Sequence, residues 1–299
     1  MSHDIGWELY RSFLTVLNEG SLSGAARALG ITQPTVGRHV SALEKSFGLA
    51  LFTRSRAGLL PTEAALALRA YAQEMQSTAA ALQRAASSQG EGQGEGVRGT
   101  VRVSASEVVS AEVLPSIVAR LRQSHPRLTV ELVSTNRVQD LLLREADIAV
   151  RMAPPRQESL LARRVGVVPV GLFAHKSYLA DHGTPKSVSE LSQHALIGFD
   201  EETPYLRTAR KAFPLWSRAA FSLRTDSDVG QLGLIRAGCG IGFCQLALAR
   251  RNAELVQVLP LKVEFKLDTW VTMHEDLRNS PRCRVTFDAL VKGLTAYVG

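Results

Sequence analysis

Residues 21–38, SLSGAARALGITQPTVGR, decide the reading of this chain. Ser21 can cap a helix whose apolar side is Leu22, Ala25, Ala26 and Leu29, and Gly30 can end it in a left-handed conformation. Only Gly30 and Ile31 separate it from Thr32, a second N-cap, and Pro34 sits in the first turn of the next helix, where its missing N–H costs nothing. The spacing predicts two helices joined by a tight turn. In the second, Val36, Val40, Leu43 and Phe47 recur at i, i+4, i+7 and i+11 and form one stripe to be buried. Gln33, Thr35, Gly37, Arg38 and Ser41 then point away from it. A polar helix start of little bulk suits a major groove, where Gln can read adenine, Arg can read guanine and Thr can touch a thymine methyl. The pattern predicts a helix-turn-helix.

Working outward, Leu9, Tyr10, Phe13, Leu14 and Leu17 mark a preceding helix that Gly20 can end. On the other side, LALFTRSRAGLLP at 49–61 is short, glycine-bearing and basic, and predicts a hairpin wing. Its Arg54 and Arg56 would meet phosphates or the flanking minor groove, the plain alternative being solvated loop charges. From Thr62 a further helix carries Leu68, Ala72, Met75, Ala79, Leu82 and Ala86 at steps alternating four and three. That is a heptad seam, expected to pair with the same helix of a second chain. The plain alternative is an amphipathic helix packed on its own domain.

The whole chain has 299 residues, 45% hydrophobic and 21% charged, which excludes global disorder and favours two or three compact units. No apolar run reaches the roughly 18 residues of a membrane span, and the first residues lack a basic region followed by an apolar segment. A cytoplasmic protein without membrane partners is expected. Cys239, Cys244 and Cys283 are too few for a disulfide framework and match no zinc spacing. Net charge is +7, and residues 21–60 set Arg27, Arg38, Lys45, Arg54 and Arg56 against Glu44 alone, a local concentration that a polyanion would meet. The run QGEGQGEG at 89–96 reads as a linker. The expected division is 1–61, a winged helix-turn-helix; 62–88, a linker and dimerisation helix; 89–99, a flexible linker; and 100–299.

The last segment alternates short β-branched runs with helical stretches, so the chain is α/β and multidomain. Strands are predicted at 100–104, 128–133 and 148–151, with helices between them up to His125 and over Val138–Glu145. A second set follows at 167–173, 195–198 and 221–224, with a helix over 228–237, a last strand at 266–273 and a closing helix from Pro281 to Tyr297. The order predicts two lobes, lobe I from 100–163 and 268–299 and lobe II from 164–267, around a crevice at the carboxyl ends of the strands. Ser104, Ser106, Thr135, Asn136, Arg151 and Phe199 fall at such ends and are the candidate ligand-binding set. Taken singly, Ser106 could only cap a helix, Asn136 only shape a turn and Arg151 only pair with a carboxylate.

Enzymatic readings find little support. The run GCGIG at 238–242 follows a helix, the wrong context for a dinucleotide loop. No GxSxG, HExxH or GxxxxGK[ST] occurs, the histidines show no metal spacing, and Asp200, Glu201 and Glu202 are consecutive and cannot face one another. No cofactor, metal or catalytic residue is expected. A thiol redox sensor using Cys239 and Cys244, or a cytoplasmic small-molecule-binding protein, is the alternative use of the C-terminal segment.

SLSGAARAL at 21–29, TQPTVGR at 32–38, Leu43-Glu44 and LFTR at 51–54 together resemble the LysR-type transcriptional regulators, strongly over residues 5 to about 65. LTVELV, ADIAVR at 146–151 and AGCGIGF at 237–243 occupy places where that family has similar runs. The resemblance implies a cytoplasmic regulator with a winged helix-turn-helix, a long linker helix and a two-lobed, periplasmic-binding-protein-like effector domain. It implies double-stranded promoter DNA, a second copy of the chain, often as a dimer of dimers, and RNA polymerase as partners, with a small-molecule effector between the lobes. Gln33, Pro34, Thr35 and Arg38, flanked by the caps Ser21 and Thr32, match the DNA-facing start of the recognition helix, and Arg54 matches the wing arginine. Ser104 and Ser106 match the polar segment that meets the ligand. Gly37 stands where a serine is common, Ala65 where a glycine is usual, and Gln245, on the second-lobe side of the pocket, where a proline is usual.

Overall fold

The computed structural model describes residues 5–55, 58–87, 96–136, 145–155, 160–202, 207, 213, 215–260 and 262–299. The chain divides into two compact units, with the boundary between Ala86 and Ser87.

The N-terminal unit contains α1 (Trp7–Glu19), α2 (Leu22–Leu29), α3 (Gln33–Phe47), the strands β1 (Phe52–Ser55) and β2 (Gly58–Pro61), and α4 (Glu63–Ser87). The turn is built as its residues predict. Ser21 Oγ accepts the Gly24 N–H at 3.0 Å, Gly30 closes α2 at φ 68°, and Thr32 Oγ1 accepts the Thr35 N–H at 3.4 Å. The stripe of α3 is buried: Val36 and Val40 pack with Val16, Ala25 and Ala26, and Leu43 packs with Phe13, Leu14, Leu17 and Leu51. β1 and β2 form the expected antiparallel hairpin, in the register Phe52 opposite Pro61 and Ser55 opposite Gly58, and Phe52 and Leu59 lean on the helices.

α4 departs from the heptad expectation. Its first turns belong to the core beneath α1, where Ala65 and Ala72 are buried and Leu68 is half-buried. Ala72, 3% exposed, is therefore unavailable to a partner helix. Leu66, 49% exposed, lies on another face; the other large apolar side chains left exposed on α4 are Tyr71, Met75 and Leu82, exposed by 67%, 39% and 71%. They stand at i, i+4 and i+11 and share one face. Ala79 is half-buried and Ala86 exposed. The apolar stripe left exposed is thus rotated from the predicted seam, because residues buried in the helix's own domain cannot also face outward.

The C-terminal unit runs β3 (Gly99–Ala105), α5 (Glu107–Glu112), α6 (Leu114–Ser124), β4 (Leu128–Ser134), β5 (Ile148–Arg151), β6 (Leu160–His175), α7 (Lys176–His182), β7 (Ile197–Gly198), β8 (Leu223–Arg224), α8 (Asp228–Arg236), β9 (Gly242–Gln245), α9 (Leu246–Ala249), β10 (Leu255–Val258), β11 (Glu264–His274) and α10 (Pro281–Val298). β3 lies parallel to both β4 and β5, as right-handed crossovers require. The helix expected over 138–145 lies outside the described residues, apart from Glu145. The single helix expected before His125 is broken at Val113, ahead of Pro115, whose ring and missing N–H interrupt the ladder.

The strand expected at 167–173 is part of the 16-residue β6, which pairs antiparallel with β11 from Leu160 to Gly171 and with β10 from Leu172 to His175. The register shifts between Thr269 and Trp270, opposite Gly166. Gly166 has φ +142°, and a Cβ on it would lie 2.5 Å from Val298 Cγ2 of α10, so only glycine fits. The strands expected at 195–198 and 221–224 shrink to two residues each, paired in parallel, and Leu196 bridges Ile241. Phe221 instead turns into an aromatic core, 5.0 Å from the Trp216 ring. That core also holds Leu172, Tyr178, Leu191 and Ile241, whereas Val103, Ile117, Ile148, Val271 and Leu290 belong to a separate core on the other side of the sheet's long strands. That second core also takes in Ile197, Leu232 and Ile235, and one seven-stranded sheet, in the order β10-β6-β11-β5-β3-β4 with β9 beside β6, joins the two expected lobes.

Candidate functional site

The start of α3 is the polar surface that its sequence foretells. Thr32, Gln33, Pro34, Arg38 and Ser41 are exposed, and Thr35 and Gly37 are half-exposed. Thr35 Oγ1 lies 2.9 Å from Thr32 Oγ1 and accepts from Arg38 Nη2 at 3.3 Å, so three of the predicted DNA-facing side chains form one chain of hydrogen bonds. Beneath them, Ser12 Oγ and His39 Nδ1 are 2.8 Å apart and tie α3 to α1. Ser21 uses its oxygen to cap α2, at the edge of the same surface. The free N–H groups of a helix start, aimed outward, favour an anion such as phosphate. A Cβ on Gly37 would meet nothing closer than Leu22 Cδ1 at 3.9 Å. Arg54 lies on β1 opposite Leu59. Its side chain, and all of Arg56, fall outside the described residues.

In the C-terminal unit, the carboxyl ends of β3, β4 and β5 bring five predicted residues near one another. Ser104 is fully buried, and Arg151 Nη2 donates to its Oγ at 2.9 Å. Arg151 Nη1 donates to the carbonyl oxygens of Ser104 and Val150 at 3.3 and 3.0 Å. Ser104 is therefore an anchor for the guanidinium rather than an open ligand contact, which corrects the expectation. Ser106 stands at the N-cap of α5, half-exposed, and its side chain makes no capping bond. The Thr135 N–H donates to the Ala105 carbonyl at 2.9 Å, and Asn136 Oδ1 accepts the Glu107 N–H at 3.2 Å.

Phe199 lies apart, lining a recess of about 20 Å³ with Glu201, Trp216, Arg218 and Phe221. A wider recess of about 280 Å³ lies between α9 and β10, lined by Phe173, Leu246, Arg250, Leu255 and Gln257, and includes none of the predicted residues. Gln245 is a second correction. It is buried in β9, and its Oε1 accepts from the Tyr297 hydroxyl of α10 at 2.5 Å, so packing against the closing helix engages the amide oxygen.

Contacts across the crevice come from residues that the sequence did not single out. Ser227, the N-cap of α8, donates through Oγ to Glu107 Oε2 at 2.8 Å. Burial, and then the Glu107 charge, push the Asp228 carboxyl up to about 6, against an opposing hydrogen bond from Asn136. At the other end of α5, Arg236 grips Glu112 with bonds of 2.7 and 2.9 Å, and Arg251 Nη1 donates to the Glu112 carbonyl at 2.7 Å. The Arg236 hydrogen bond holds the Glu112 carboxyl below its usual range. Ser227-Asp228 carries a legible N-cap signature; Glu107 and Glu112 carry none, since their partners lie more than a hundred residues away.

Cys244 is buried, and burial raises its thiol to about 11, far from the low value an oxidation sensor needs. Asp200 pairs with Arg218 at 2.7 Å instead of joining Glu201 and Glu202. The run at 238–242 joins α8 to β9, helix to strand, the reverse of a dinucleotide loop. Among the described residues no group of three His, Cys, Asp or Glu side chains could hold a metal ion, and no helix is long and apolar enough to cross a membrane.

Comparison with known proteins matches residues 7–66 to the family model described as bacterial regulatory helix-turn-helix protein, lysR family, and residues 94–295 to the LysR substrate binding domain. The HTH-type transcriptional regulator CrgA of Neisseria meningitidis is 28% identical over 290 residues, 94% of this chain and 95% of the relative. The HTH-type transcriptional activator AaeR of Escherichia coli K12 is 29% identical over 238 residues, 78% of this chain and 75% of that one. Among solved structures, that of CrgA aligns at a TM-score of 0.58 and 26% identity, covering 96% of this chain and 98% of its own. CbnR, a LysR family transcriptional regulator, aligns at 0.65 over 96% of this chain and 99% of its own, at 18% identity, a likeness of fold.

Proposed function

Because the chain belongs to the LysR family of helix-turn-helix transcriptional regulators, we propose that it works in the cytoplasm as a dimer, or a dimer of dimers, reading promoter DNA through the start of α3 and answering a small molecule bound in its C-terminal crevice. The observation that carries this reading is the exposed Thr32–Gln33–Pro34–Thr35–Arg38 surface above a stripe of buried aliphatic side chains. A helix held from below and polar on top can enter a major groove without unfolding anything. Two copies joined through Tyr71, Met75 and Leu82 present two such helices to neighbouring half-sites, which multiplies affinity without any new contact.

On this reading the effector lies among Ser106, Thr135, Asn136 and Arg151, at the strand ends facing α8, and changes how α5 is held against Ser227, Asp228 and Arg236. It shifts the regulator only by binding the two lobe arrangements with different affinity. The change reaches RNA polymerase as altered DNA geometry, and the chain performs no catalysis.

The test is a mobility shift on the promoter beside the protein's own gene, with Arg38→Ala. If Arg38 reads a base, the substitution costs about 1–3 kcal/mol and relaxes the preference at one position. An equal loss on every sequence would make it a phosphate contact, and binding by the unaltered protein that ignores both sequence and salt would overturn the reading. Ser106→Phe should abolish the effector response and leave DNA binding intact.

A further inference from the structure

The recognition helix, the wing and α4 meet at one small polar joint. Glu44 lies in the last turn of α3, where its carbonyl accepts the N–H groups that close the helix, from Gly48 and, at 3.2 Å, from Leu49. Its carboxylate reaches onward: Oε1 accepts the N–H of Leu51 at 2.8 Å and of Phe52 at 3.2 Å, where the wing begins. Leu51 is fully buried, and its carbonyl faces the other way. That oxygen accepts the N–H of Thr62 at 3.0 Å and lies 3.2 Å from the Thr62 hydroxyl, which also reaches the Ala50 carbonyl at 2.8 Å. The same hydroxyl accepts the Ala65 N–H at 3.2 Å and so caps α4. Residues 50–52 are clamped between a carboxylate at the end of α3 and the cap of α4.

From this joint we infer that Glu44 and Thr62 are positioning residues that set the angle between the recognition helix and α4, and thereby the half-site spacing that the dimer accepts. The inference rests on the DNA-binding, dimeric reading above. Neither residue lies on the exposed start of α3. Apolar side chains join α4 to the reading head as well, with Ala65, Leu68 and Ala72 in one core with Phe13, Leu14 and Leu17. Such burial is non-directional and lets a helix pivot, whereas hydrogen bonds weaken steeply off their axis. The lever is long. At 1.5 Å per residue, Leu82 lies about 30 Å along α4 from Thr62, so a tilt of about 10° displaces it by about 5 Å. That exceeds the 3.4 Å that separates neighbouring base pairs along each strand, roughly.

The test uses the full chain and the half-site that the unaltered protein selects from a pool of random duplexes. Affinity is measured for one copy, and for two copies at spacings stepped by single base pairs around one helical turn, about 10 bp. Thr62→Val and Glu44→Ala should hold single-copy affinity within about twofold while the preference for the best spacing over its neighbours falls about tenfold, a part of the roughly 10²–10⁴-fold that avidity adds when both copies engage. Thr62→Ser and Glu44→Gln, which keep a hydroxyl and an acceptor oxygen, should restore the sharp preference. An unchanged spacing profile would overturn the inference. So would a loss equal at every spacing that tracks the melting temperature, since that is what a merely structural role gives. Should Glu44→Ala fail to fold, Thr62→Val and its serine rescue decide the matter alone. If the unaltered protein selects no half-site, the DNA-binding reading fails first and takes this one with it.

Discussion

Replacing Gly37 with alanine should stabilise the N-terminal unit. Gly37 sits in the interior of α3, outside the left-handed region, and the nearest atom to an added Cβ is Leu22 Cδ1 at 3.9 Å, an ordinary van der Waals distance. No neighbour in the chain requires it to be small. The substitution therefore recovers the full helix-propensity difference, about 1 kcal/mol. In a unit of this size that corresponds to a rise in melting temperature of about 4–8 °C, read by calorimetry on the transition of the N-terminal unit. Gly37→Ser should recover part of the same gain and also place a hydroxyl beside Arg38 on the DNA-facing surface. One new hydrogen bond to a charged phosphate is worth about 1.5–3 kcal/mol, so operator affinity should rise by about ten- to a hundredfold. Destabilisation by alanine would refute the reasoning, because it would mean that the crossing of α2 and α3 needs the bare backbone. Stabilisation accompanied by weaker DNA binding in both variants would show instead that the duplex occupies the space above Gly37.

Tyr71→Glu combined with Leu82→Glu should convert the dimer to a monomer in sedimentation while the N-terminal unit stays folded, whereas Ala72→Glu should unfold that unit by burying an unpaired charge; a dimer that survives the double change would remove this face from the interface. Asp228 has a pH signature whose sign follows from its raised pKa of about 6. The folded protein keeps that proton between about pH 4 and 6 while the unfolded chain has lost it, so stability falls as pH rises through this window and stays lower above it. Asp228→Asn removes the penalty and should add about 3 kcal/mol at neutral pH and almost nothing below about pH 4, measured by urea unfolding; an equal gain at both would sink the assignment.

The reading head was legible because its signals act within three or four residues. Ser21, Gly30, Thr32 and Pro34 each satisfy or terminate a neighbouring turn, and Val36, Val40 and Leu43 declare their face by spacing alone. The parallel strands β3, β4 and β5 were legible for a similar reason, since alternating β-branched runs separated by helices admit few arrangements. The ligand crevice was legible only in part. Strand ends could be named, but Ser104 as the anchor of Arg151 depends on β3 and β5 lying side by side, and Gln245 was lost to Tyr297, a residue 52 positions away. The short β7 and β8 deceived for want of any local signal that Phe221 would leave the strand for an aromatic core.

Local chemistry in the chain thus settled the helices and turns of the reading head, and which surface of α3 faces outward, because caps and burial periodicity depend on near neighbours. It could not settle which stripe of α4 remains free, since a helix shows a partner whatever its own domain leaves uncovered, and here the domain takes Ala72 and leaves Tyr71. Nor could it pair Glu44 with Leu51, or Glu107 with Ser227 across 120 positions. Those bonds exist only once separate elements have docked, and docking is decided by the volume and register of whole surfaces rather than by any one residue's preference.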